Sequence, residues 1–72
     1  MSRYSEAYIV HTMPDDIRYG SQEFKRAFAV FKSWRTMPMH SVAMWARRDD
    51  KRGGYQRLYA TENYPTRLTS PF

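Results

Sequence analysis

The chain contains no cysteine, and that absence removes disulfide staples, zinc–thiolate sites and thiol nucleophiles together. It also lacks any run of about 18 apolar residues, so nothing in it reads as a membrane-spanning helix. The start, 1–6, is polar and carries Arg3, with no apolar stretch of signal-peptide type behind it. Together these absences predict a soluble, cytoplasmic protein without membrane contact. Histidine is scarce too. His11 and His40 are the only two, far apart and with no thiols to join them, which predicts no metal site and no cofactor. No HExxH or calcium-loop spacing occurs, no serine sits in a nucleophile-elbow pattern, and no glycine loop could cradle a phosphate. Gly53-Gly54 is a turn signal, and the adjacent pairs Asp15-Asp16 and Asp49-Asp50 suit turn chemistry.

What the chain does have is aromatics and positive charge. Its 72 residues allow one domain, and chains near that size bury only about 60% of the surface their unfolded state exposes. Four Phe, six Tyr, two Trp and five Met must therefore supply much of the core. So small a fold cannot enclose twelve rings, so some must lie at the surface. The net charge is +5, and the excess is concentrated in the middle of the chain. Lys25, Arg26, Lys32 and Arg35 face only Glu23 in 21–36, and Arg47, Arg48, Lys51 and Arg52 outnumber Asp49 and Asp50 in 37–54. Such an imbalance favours anionic partners, although solubility alone can account for it.

Periodicity predicts an α+β fold in the order strand, helix, β-hairpin. Residues 7–13 are β-branched and aromatic and read as a strand, with Pro14 ending it and 14–20 expected as a turn or loop. Phe24, Ala27, Phe28, Phe31 and Trp34 then recur at helical spacing along one stripe. Ser21 is the expected N-cap, and Pro38 should stop the helix near Thr36. Segments 42–48 and 55–61 flank a polar Gly-containing loop, which is a hairpin signal, with a short second helix over 42–48 as the alternative. Pairing Asp49 with Gly53 leaves Asp50, Lys51 and Arg52 at the tip and lets Gly53 take a left-handed conformation. In that register Val42 opposes Ala60, Met44 opposes Leu58 and Ala46 opposes Gln56 on one face. Ala43 with Tyr59, Trp45 with Arg57 and Arg47 with Tyr55 share the other. The expected core packs Phe24, Phe28, Phe31 and Trp34 on Ile9, Val42, Met44 and Leu58. The domain is expected to span 1–62, with 63–72 an extended Pro-containing tail that could lie over it through Leu68 or Phe72.

That register makes Trp45, Arg47, Tyr55, Arg57 and Tyr59 a candidate partner-binding face. Tyr, Trp and Arg dominate protein–protein hot spots, and rings interleaved with guanidinium groups also suit single-stranded nucleic acid. Lys25, Lys32, Arg35, Arg48, Lys51 and Arg52 form a candidate basic patch, although such a run more often is the solvated side of an amphipathic helix. The functional expectation is a small, basic, non-enzymatic binding protein. It would act as an inhibitor, adaptor or regulator by docking on a larger macromolecular partner, a protein or nucleic-acid-bound machinery. Direct nucleic-acid binding is the second reading. A small ribonuclease using His11 or His40 as acid or base is the third. An exposed sheet edge could also pair with a second copy as a homodimer.

Overall fold

A computed structural model describes residues 6–48 and 54–65. In these residues the chain is α+β, with one helix over an antiparallel four-stranded sheet. The elements are β1 (Tyr8–Met13), β2 (Arg18–Ser21), α1 (Phe24–Trp34), β3 (Ser41–Arg47) and β4 (Tyr55–Ala60), and the strand order is β2-β1-β3-β4. The segment 42–48 is thus strand, not helix, up to Arg47. One strand is additional to the expected set: β2 lies in what the sequence predicts as loop. A tight turn after Pro14 folds the chain back, with the Thr12 N–H donating to the Ile17 carbonyl at 2.9 Å. β2 is short, polar and at the edge, so it carries no alternating apolar signal. Its Gly20 has a local reason: a Cβ there would come within 2.6 Å of Cγ of Glu6, whose side chain crosses the strand.

The helix starts later than Ser21. That residue is the last of β2, and its hydroxyl accepts the Glu23 N–H at 3.1 Å, fixing the turn that leads into α1. At the other end the Arg35 N–H donates to the Phe31 carbonyl at 2.9 Å, closing the helix before Pro38 as expected.

Strand parity divides the core into two layers. On the helix side, Ala27 and Phe31 of α1 pack with Val10, Val42 and Met44, flanked by Tyr8, Tyr19, Phe28, Val30 and Trp34. On the other side of the sheet, Ile9, Ala43, Trp45, Tyr55 and Tyr64 form a second cluster, with Met13 against it. The expected core is corrected at three positions. Ile9 pairs with Trp45 and so belongs to the face away from the helix, leaving Val10 to meet it. Phe24 and Leu58 are each 39% exposed.

The hairpin register explains the Leu58 result. Arg47 pairs with Tyr55, Ala46 with Gln56 and Trp45 with Arg57, as the sequence predicts. Between Met44 and Trp45 the ladder shifts: Met44 opposes Tyr59 and Ala43 opposes Ala60. Leu58 is the extra residue of a β-bulge, and one extra residue moves the side chains beyond it to the opposite face. Near the turn the Arg48 N–H donates to the Gly54 carbonyl at 3.1 Å, and Gly54 takes the left-handed φ of 82°. The expected tip, Asp50, Lys51 and Arg52, and the expected pairing of Asp49 with Gly53 lie outside the described residues.

Beyond β4 the chain turns. The Thr61 N–H donates to the Val42 carbonyl and the Tyr64 N–H donates to the Thr61 carbonyl, which swings Tyr64 back across the sheet. Tyr64 is 7% exposed, so the packed domain extends past the expected boundary at residue 62.

Candidate docking surface

The five side chains expected to share one exposed face do not. Trp45 and Tyr55 are buried, at 1% and 8% exposure, and pack in the second core layer. The Tyr55 hydroxyl donates to the Glu6 carbonyl at 2.7 Å, and burial raises its pKa above the ordinary 10.0. Arg57 lies partly buried over the Tyr64 ring, 5.9 Å from its centroid, and donates to the Pro65 carbonyl at 2.9 Å. Only Arg47 stays exposed on that side. Tyr59 is exposed but on the helix side, because the Leu58 bulge has turned it over. This face of the sheet is closed by the protein's own chain: the Glu6 backbone from one end and Tyr64 from the other.

A different exposed surface forms on the helix side. α1 lies over β1, β2 and β3 and leaves β4 uncovered. Tyr59 projects into the uncovered strip, its ring centroid 5.4 Å from Phe28 and 5.9 Å from Phe31. The row continues along the helix, with Phe24 stacked on Phe28 at 5.5 Å and Tyr8 edge-on to Phe24 at 5.6 Å. Tyr59 keeps 44% of its surface exposed and Phe24 39%, so the row forms an aromatic shelf between α1 and β4. Lys32 borders it, with Nζ 5.0 Å from the Phe28 centroid. Lys25, three residues before Phe28, stands on the same side of the helix. Of the expected basic patch, Lys25, Lys32, Arg35 and Arg48 are exposed, while Lys51 and Arg52 lie outside the described residues. The aromatic spacing of α1 is visible in the sequence, but the partnership with Tyr59 depends on a bulge that no local pattern announces.

The two histidines each meet one aspartate of the β1–β2 turn. His11 is buried, with Nε2 against the Asp16 carboxylate and Nδ1 2.7 Å from the Tyr64 hydroxyl. A carboxylate can only accept, so Nε2 is the nitrogen that donates to Asp16. Burial holds the Tyr64 hydroxyl above the ordinary tyrosine value, opposed by the Trp45 indole and the Arg57 charge. His40 differs. Its Nε2 is 2.7 Å from the Asp15 carboxylate and its Nδ1 2.9 Å from the Pro38 carbonyl. Two acceptors favour the doubly protonated ring, and its pKa is raised above 6.5 chiefly by Asp15 and then by the Pro38 carbonyl. Both nitrogens of both rings are therefore occupied by the protein itself. Among the described residues, no three or more His, Cys, Asp or Glu side chains are grouped to hold a metal ion, and no helix is long and apolar enough to cross a membrane.

Comparison with protein-family models, curated proteins and solved structures finds no match to this chain.

Proposed function

We propose that this chain is a small non-enzymatic docking protein, which acts as an inhibitor, adaptor or regulator by covering a surface of a larger protein. The docking surface is the shelf of Phe24, Phe28 and Tyr59 between α1 and β4, in place of the sheet face first expected. One observation carries this reading: the Leu58 bulge sets a 44% exposed tyrosine beside a phenylalanine row whose outer member, Phe24, is 39% exposed, in a domain with little apolar surface to spare. Aromatic side chains of that kind anchor protein interfaces. A cytoplasmic setting fits the cysteine-free composition.

Direct nucleic-acid binding draws support from the positive charge alone. Base stacking needs open ring faces, whereas Phe24, Phe28 and Phe31 stack on one another. The ribonuclease reading draws none from the geometry, because a general base needs a nitrogen within reach of substrate.

The test is affinity capture from the source cells with the intact chain, its Phe24→Ser and Tyr59→Ser variants, and Arg26→Ser as a control on the far side of α1. The expected result is one protein retained by the wild type and by Arg26→Ser, and lost at least tenfold by folded shelf variants. A partner retained equally by the shelf variants, or a captured species that nuclease removes, contradicts the proposal.

A further inference from the structure

Charge around the shelf is mainly positive, the nearest acids in sequence being Glu23 beside Phe24 and Glu62 three residues after Tyr59. Residues 24–48 hold Lys25, Arg26, Lys32, Arg35, Arg47 and Arg48 with no Asp or Glu, and 54–61 add Arg57, again with no acid. Nearby acidic groups are engaged elsewhere. Asp15 and Asp16 hold His40 and His11, and Glu23 pairs at 3.4 Å with Arg26. Arg26 falls on the side of α1 away from Phe28, whereas Lys25 and Lys32 bracket Phe28 at three and four residues. Lys32 thus borders the exposed rings and Lys25 shares their side of the helix, while the Glu23 carboxylate is turned to Arg26.

We propose that the occupant of the shelf is an acidic segment of the partner protein, with carboxylates meeting Lys25 and Lys32 and an apolar side chain resting against Phe24 and Tyr59. The inference rests on the docking reading and narrows it to one partner chemistry. A second copy of this chain would set cation against cation, and like-charge juxtaposition disfavours an interface. β4 is an edge strand, yet the bulge at Leu58 interrupts the regular edge that strand addition requires. A polynucleotide matches the charge, but Phe24, Phe28 and Phe31 are stacked on one another, which leaves fewer open faces for bases.

The experiment is an NMR titration of the full chain at near-physiological salt with three probes. They are a twelve-residue peptide repeating Glu-Glu-Leu-Phe, its Ser-Ser-Leu-Phe counterpart, and a twelve-nucleotide oligo-dT. The acidic peptide is expected to shift the signals of Phe24, Phe28, Lys32 and Tyr59, with at least tenfold weaker binding by the neutral peptide. A Lys25→Glu/Lys32→Glu variant, both sites exposed and checked for fold by circular dichroism, is expected to lose at least tenfold as well. The inference is overturned if the acidic peptide leaves the shelf unshifted, if the neutral peptide binds equally, or if oligo-dT binds the shelf more tightly. If it is overturned while shelf variants still lose a captured protein, the docking reading stands and only the acidic character of the partner falls. Failure of both experiments removes both.

Discussion

Replacing Trp45 by alanine should cost this domain far more stability than replacing Tyr59. Trp45 is 1% exposed and packs with Ile9, Ala43, Tyr55 and Tyr64. A buried tryptophan removes about 150–250 Å² from water, which at about 25 cal/mol per Å² corresponds to about 4–6 kcal/mol. Measured truncations of buried Phe and Trp to Ala cost about 3–5 kcal/mol. A chain of this length, at about 0.05–0.15 kcal/mol per residue, has about 4–11 kcal/mol in total. Trp45→Ala therefore removes about a third of the stability if the domain lies at the top of that range and all of it if it lies at the bottom. Tyr59 is 44% exposed and touches two helix rings, so Tyr59→Ala should cost about 1–2 kcal/mol. Urea unfolding followed by far-UV circular dichroism separates the two, because Trp34 would confuse a fluorescence readout. With a slope of about 1 kcal/mol per M, the midpoint should fall by about 3 M or more for Trp45→Ala and by about 1–2 M for Tyr59→Ala. Equal shifts, or a larger one for Tyr59, would refute the assignment of Trp45 to the core and Tyr59 to the surface.

Tyr64→Phe keeps the ring and removes the hydroxyl that hydrogen-bonds to Nδ1 of His11, and should cost about 1–2 kcal/mol by urea midpoint. A neutral result would mean that this buried hydrogen bond contributes nothing. The His40–Asp15 pair makes stability depend on pH with a definite sign. Because the folded-state pKa is raised, its contribution is fully present below about pH 6.5 and is lost as pH rises through the raised value. Asp15→Asn should bring the NMR titration of His40 back down toward 6.5, and a wild-type His40 that titrates at or below 6.5 contradicts the pairing. Tyr55 and Tyr64, raised chiefly by burial, should form phenolate only above pH 10 in an ultraviolet titration, with the stability linked to them lost over that range.

The α+β class, the helix and the hairpin were legible because each depends on local periodicity: Phe24, Ala27, Phe28 and Phe31 at helical spacing, and two strand-like runs around a glycine turn. The register near the turn was legible for the same reason, down to the pairing of Trp45 with Arg57. What escaped depends on long-range geometry. The Leu58 bulge adds one residue with no composition cue, and it alone exchanges Tyr59 between faces. Burial of Trp45 depends on Tyr64, nineteen positions later in the chain, folding back over the sheet. A polar turn followed by an aromatic, Thr61 to Tyr64, was the available hint. β2 escaped because a four-residue polar edge strand is held by its pairing with β1, not by its own pattern.

The most direct test of the docking surface is site-specific photocrosslinking in the source cells, with a photoreactive phenylalanine placed in turn at Tyr59, Phe24, Arg26 and Arg47. The account predicts that positions 59 and 24 capture the same protein, while 26 and 47, on the far side of the helix and on the opposite sheet face, do not. Capture from 47 or 26 with none from 59 would contradict it and move the interface away from the shelf.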